Sequence, residues 1–108
     1  MDKRTDAELT EIIRRIVAVS DPQRIILFGS HARGDAAPDS DFDLLVVKDD
    51  VESPRAESAR IYRALAGLST PVDIVVTRSD YASLHRDVVG TVVRPALREG
   101  KLLYARSI

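Results

Sequence analysis

The chain has no cysteine and only two histidines in 108 residues. The first absence excludes disulfides, zinc–cysteine sites and thiol catalysis. His31 and His85 have neither metal-ligand spacing nor an evident nucleophile partner, so both read as surface or supporting residues. Charge of one sign is also lacking. Sixteen basic residues against seventeen acidic ones leave a formal charge of −1, giving no broad field to attract nucleic acid, and no direct nucleic-acid binding is expected. No stretch approaches the roughly 20 apolar residues of a membrane span. Met1-Asp2-Lys3-Arg4 is not followed by an apolar signal segment, so the expected location is cytoplasmic, away from membranes. There is no internal repeat, low-complexity tract or interdomain linker. With 44% hydrophobic and 31% charged residues, residues 1–108 read as a single domain with a modest core and no second domain for an acceptor.

Periodicity supplies the scaffold. Thr5 and Glu8 have capping-box spacing, and Leu9, Ile12, Ile13, Ile16 and Val17 share a helical face opposite Glu11, Arg14 and Arg15, predicting a helix over 6–19. Asp21-Pro22 breaks it, and residues 24 to 28 form a buried strand. Ser30 is positioned to cap a short helix through Ala32 and Arg33, before a loop rich in polar residues with Gly34 and Pro38. A second strand covers 42–47. Ser53-Pro54 starts a helix whose stripe is Ile61, Ala64, Leu65 and Leu68, weakened by Gly67 and ended by Pro71. Val72-Asp73-Ile74-Val75-Val76 is a third strand. Ser79 is placed to cap another helix, residues 91 to 99 could form a last one ended by Gly100, and Leu102-Leu103-Tyr104 adds a short edge strand. This order predicts an α/β or α+β domain, a small mixed β-sheet covered by helices with its site at strand ends.

The chemistry concentrates in two places. Gly29-Ser30 follows the apolar run Ile25-Ile26-Leu27-Phe28, and a glycine there lets the backbone approach an anion such as phosphate. Ten residues later come Asp41-Phe42-Asp43. On a strand both aspartates face one way and Phe42 the other, with their Cα atoms roughly 7 Å apart. Such a pair can share divalent cations, and its hard oxygens favour magnesium over zinc. Asp73 interrupts an apolar strand, where burial without a partner would be costly. If its strand neighbours the second, Asp73 could face the pair as a metal ligand or a general base.

Plainer readings stand beside these. The aspartate pair could be a solvated strand entrance, and Asp73 a buried salt bridge or a strand-end turn. Gly29-Ser30 alone could be an ordinary turn with a helix cap, and Arg33 could reach phosphate or form a surface ion pair. Tyr62, Tyr81 and Tyr104 read as packing residues with a polar tip, and the basic residues near Arg94 and Arg98 as a solvated helix face or a partner contact.

From Gly29-Ser30-His31-Ala32-Arg33-Gly34 through Ser40-Asp41-Phe42-Asp43-Leu44, with Asp73 later in a Val-Asp-Ile-Val-Val strand, the chain resembles the minimal nucleotidyltransferase family of the DNA polymerase beta superfamily. Helix one and Arg98-Glu99-Gly100-Lys101-Leu102-Leu103-Tyr104 also look familial. The resemblance implies a polymerase-beta-like nucleotidyltransferase fold. It implies that Gly29 and Ser30 hold the triphosphate, and that Asp41, Asp43 and Asp73 form the catalytic carboxylates, with Asp41 and Asp43 binding two magnesium ions and Asp73 completing the set. His31 stands where the family varies. Small members resembling this one pair as antitoxins with a HEPN ribonuclease toxin, which implies AMP transfer from ATP to a toxin hydroxyl, typically a tyrosine's. The other expectations are an antitoxin that neutralises by binding alone, and an aminoglycoside-type small-molecule nucleotidyltransferase, for which 108 residues leave little room to build an acceptor pocket.

Overall fold

A computed structural model describes residues 3–37, 40–80 and 100–106. Helix α1 runs Lys3–Ser20, strand β1 Arg24–Phe28, helix α2 Gly29–Arg33, strand β2 Phe42–Lys48, helix α3 Pro54–Ala64, strand β3 Val72–Arg78 and strand β4 Lys101–Ala105. They form an α+β domain whose four strands lie in the order β3-β2-β1-β4. β1 is antiparallel to β2 and β4, while β2 and β3 are parallel, so the sheet is mixed. The parallel pair needs a crossover, and α3 supplies it.

The apolar stripe of α1 is seated as its spacing requires: Leu9, Ile12 and Ile16 are buried, while Arg14 on the opposite face is exposed. Together with Ile61 and Leu65 of the α3 segment they cover one face of the sheet, built from Ile25, Leu27, Phe42, Leu44, Val46, Ile74 and Val76. Each such buried Leu or Ile contributes about 1.5–3 kcal/mol of transfer free energy. Strand alternation sends Ile26, Leu45 and Val47 to the other face, where they are also buried, with Phe28 and Val75 against them. β2 is therefore apolar on both sides, as a central strand must be.

Two helix starts differ from the sequence reading. α1 begins by Lys3, which places Thr5 inside the helix instead of at its cap. α2 begins at Gly29, and its cap position is Phe28, with no side-chain cap bond. Gly29, at φ +73, turns the chain directly out of β1, so the helix is under way before Ser30 can cap it. Ser30 instead accepts the Gly34 and Asp35 amides through its carbonyl, at 3.0 and 3.1 Å.

Elsewhere the local signals hold. Ser53 caps α3, its hydroxyl accepting the Ala56 amide at 3.2 Å, and Pro54 takes the first turn, where it forfeits no helical bond. The helix ends at Ala64, short of the end expected at Pro71, and Leu65 and Leu68 of the expected stripe fall beyond it: Gly67, at φ +90, turns the chain out of helical conformation before the proline is reached. From α1, Arg15 donates to the Ala64 and Ala66 carbonyls, which α3 leaves unpaired at its C-terminal end. The second and third strands run one and two residues past their expected ends, and the expected edge strand is β4. Residues 79 and 80 are helical, so Ser79 lies within the helix, not at its cap. The rest of that helix and the expected helix over 91–99 lie outside the described residues.

A candidate active site at the carboxylate end of the sheet

β1 runs into Gly29 on the same side of the molecule where β2 begins. The antiparallel register places Phe28 opposite Asp43, and the parallel register places Asp43 opposite Asp73. The next residue along β1, Gly29, lies against the Asp43 side chain. A Cβ built on Gly29 would stand 3.0 Å from the Asp43 carboxyl carbon and 3.3 Å from its Cβ, with a carboxylate oxygen closer still. Glycine is required here for two reasons: its φ is in the left-handed region, and its missing side chain is the space Asp43 occupies.

Asp41 and Asp73 are exposed, and Asp43 is partly buried. This corrects the cost expected at Asp73: its strand is apolar, but it sits at the open end, so solvent supplies the compensation that burial would have denied. Asp43 behaves differently. Burial first, then the charges of Asp73 and Asp41, push its carboxyl above the ordinary value, while the charges of His31 and Arg33 oppose that shift. One group thus reports the proximity of the other three aspartate-loop and α2 side chains and of Asp73 across the sheet. The sequence-predicted Asp41, Asp43, Asp73, Gly29 and Arg33 share one end of the fold. Arg33 itself forms an exposed ion pair with Asp35 at 3.3 Å, the plainer of its two sequence readings.

The donor set fits a hard cation. Three carboxylates repel one another around Asp43, and no lysine or arginine salt bridge to Asp41, Asp43 or Asp73 appears among the described residues. Nor, among the described residues, do three His, Asp or Glu side chains close into a preformed metal cage. Magnesium commonly takes one or two carboxylates and completes its shell with water and substrate phosphates, and the oxygen donors of Asp41, Asp43 and Asp73 are of the kind it takes.

Sequence reasoning left His31 without a specific task. Its ring stacks on Phe42, with centroids 4.2 Å apart and planes inclined by 29°. Its Nε2 lies 2.9 Å from the Ser40 carbonyl oxygen. His85 and Tyr81, like Arg94 and Arg98, lie outside the described residues.

Comparisons with known proteins bear on the fold and the family. No curated protein matches the chain in sequence. Among solved structures, a candidate nucleotidyltransferase from Sulfolobus solfataricus superposes with a TM-score of 0.66 at 21% identity, covering 93% of this chain and 79% of that one. A toxin–antitoxin complex with AMP-PNP gives 0.61 at 24% identity, covering 94% and 73%. The complex of a tri-AMPylated Shewanella oneidensis HEPN toxin with an MNT antitoxin gives 0.57 at 20% identity, covering 98% and 74%. These likenesses establish the fold. Among the described residues no helix is long and apolar enough to cross a membrane. The family model for the nucleotidyltransferase domain matches residues 7–99, which span every element from α1 to β3 and both halves of the carboxylate site; the chain belongs to the nucleotidyltransferase domain family and is a nucleotidyltransferase.

Proposed function

We propose that this chain is the antitoxin of a toxin–antitoxin pair, acting in the cytoplasm, and that it transfers AMP from ATP to a hydroxyl, a tyrosine's, on a HEPN ribonuclease toxin. The observation that carries the catalytic part is the register that sets Asp43 opposite Asp73 while Gly29 lies against Asp43. A backbone turn suited to phosphate and three carboxylates then address one reacting phosphorus. The acceptor rests on the fold neighbours, which include a toxin–antitoxin complex with AMP-PNP and a tri-AMPylated HEPN toxin with its MNT antitoxin.

In this reading the acceptor oxygen attacks the α-phosphorus of ATP, the new O–P bond forms as the bond to the β-phosphate oxygen breaks, and pyrophosphate leaves. Asp41, Asp43 and Asp73 would hold magnesium, which when bound supplies charge neutralisation at the α-phosphate and the leaving group. Gly29 and Ser30 bring backbone close to the β- and γ-phosphates, and Arg33, on the next helical turn, adds positive charge. Asp73 is exposed and paired in register with Asp43, which supports a role in which it would take the proton of the incoming hydroxyl or share the metal. Catalysis comes from placement, because the protein forms no covalent intermediate.

The test is incubation with magnesium, adenine-labelled ATP and the protein encoded by the adjacent gene, repeated with Asp41→Asn and Asp43→Asn. Label on the partner that disappears in both variants, with a tyrosine adduct located by mass spectrometry, supports the proposal. Unlabelled partner, neutralised equally well by parent and variants, overturns catalysis in favour of neutralisation by binding. Label on an aminoglycoside and none on the protein would overturn the acceptor.

A further inference from the structure

His31 touches both neighbours of Asp41. Its ring lies on Phe42, the residue after Asp41, and its Nε2 reaches the carbonyl of Ser40, the residue before. A carbonyl oxygen only accepts, so Nε2 carries the proton and donates it, which sets the ring's orientation. Ser40 belongs to a small turn of its own: its amide donates to the Ala37 carbonyl at 3.0 Å and its hydroxyl accepts the Ala37 amide at 2.9 Å. The Phe42 amide donates to Pro71 at 3.0 Å, the residue just before β3. The loop that carries Asp41 is thus anchored by backbone to the residue before β3, and among the described side-chain contacts α2 holds it at two points: Arg33 on Asp35 at the start of the loop, and His31 on Ser40 and Phe42 around Asp41.

We propose that His31 is a positioning residue: it clamps Ser40 and Phe42 so that the intervening Asp41 is held on the side of β2 that carries Asp43, in fixed relation to the Gly29-Ser30 turn that immediately precedes the histidine. Asp41 lies outside the β2 pairing, since the strand begins at Phe42. The sheet therefore fixes Asp43 but not Asp41, and the histidine supplies the constraint the ladder lacks. A plain hydrophobe at position 31 would retain the stack and lose the bond; an amide would do the reverse. The kinetic consequence rests on the nucleotidyl-transfer reading, whereas the structural one does not.

The experiment uses the full chain and the variants His31→Ala, His31→Phe and His31→Gln. Amide exchange followed by NMR in EDTA reads the loop without substrate or metal. His31→Ala is expected to raise exchange at Ser40 and Phe42 by about tenfold or more while leaving the Leu44, Leu45 and Val46 amides unchanged. The transfer assay should then show kcat reduced about tenfold, with KM for ATP within roughly twofold, and a higher magnesium concentration for half-maximal rate. His31→Phe and His31→Gln should each recover part of both effects, since each restores one of the two contacts. Unchanged exchange at Ser40 and Phe42 in His31→Ala overturns the proposal, as does equal acceleration across β2, which would mean general destabilisation. If exchange rises locally but the parent transfers no nucleotide, the clamp stands and the functional reading falls.

Discussion

The two ends of β2 carry opposite electrostatic designs. At its start, Asp43 is surrounded by Asp73 and Asp41, and its carboxyl is held above the ordinary range by burial and by those like charges. At its end, Lys48 donates to the Ser20 carbonyl at 2.6 Å and to Glu57 at 3.2 Å, and Glu57 also receives the Ser20 hydroxyl at 2.6 Å and Arg60 at 3.3 Å. Burial opposes ionisation of Glu57, but the bonds from Ser20, Lys48 and Arg60 outweigh it and keep that carboxyl below its ordinary value. Each end of the strand has a carboxylate in a partly buried setting, Asp43 on β2 itself at the start and Glu57 on α3 beside Lys48 at the end. Among the described residues only the Lys48 end is paired by salt bridges, and that difference separates a structural tie between α1, β2 and α3 from the end where the proposed site lies.

Asp43→Asn should break the comparison most sharply. On the proposed mechanism, in which the carboxylate acts on the transition state, transfer is expected to fall about a thousandfold or more in the labelled-ATP assay. Its effect on stability should have the reverse sign. A carboxyl whose folded value is raised contributes stability that is complete in acid and is lost as pH rises through that raised value. In EDTA at pH 7, urea unfolding should therefore find Asp43→Asn more stable than the parent, with the advantage shrinking on acidification toward the ordinary value of 3.8.

Glu57→Ala is the complementary change. It leaves Lys48, whose side chain is only 21% exposed, without its carboxylate, and should cost about 3 kcal/mol at pH 7 while activity per folded molecule stays within a few-fold. For a lowered carboxyl the stabilisation is present above the ordinary 4.5 and lost as pH falls through the folded value, so this deficit should shrink in acid. Denaturant melts of parent and variant across pH 2–7, compared with the same series for Asp43→Asn, test both signs together.

Gly29→Ala should affect stability and activity at once. The new methyl would meet the Asp43 carboxylate with the backbone at φ +73, costing about 1–3 kcal/mol and displacing Asp43, which kinetics would register as a lower kcat. The smallest expected effect is at the outer edge of β3. There the Ile74 amide donates to the Tyr62 hydroxyl at 2.8 Å, and the Ser58 hydroxyl donates to the Ile74 carbonyl at 3.4 Å, so α3 covers polar groups of the strand beside Asp73. Tyr62→Phe should cost about 1 kcal/mol by chemical denaturation, a loss confined to one strand-edge bond.

Much of the scaffold could be read from local pattern because local physics decides it. Helical spacing in Leu9, Ile12 and Ile16, the Ser53-Pro54 start and the β-branched runs are each sufficient within a few residues. Thr5 and Ser30 have capping chemistry yet lie inside α1 and α2, because a cap also needs the backbone to arrive extended at that residue. The Lys48–Glu57–Ser20 network gave no readable signal at all: its members are 28, 9 and 37 residues apart in their pairings. His31 was visible as a residue but not as a contact, since nothing in a Gly-Ser-His string says that the ring will lie on a phenylalanine eleven positions away.

By itself the sequence determined the chemistry offered at the site: a glycine turn, two aspartates of equal strand parity and a third in a later strand, with hard oxygen donors and no thiol. Tertiary structure alone decided that the third belongs with the first two. Parallel pairing of β2 and β3, enforced by the α3 crossover, puts Asp73 opposite Asp43, and the antiparallel turn of β1 puts Gly29 against the same carboxylate. Strand alternation is a local property and survives in the sequence, whereas register is a relation between segments thirty residues apart, set by which apolar faces the helices can bury together.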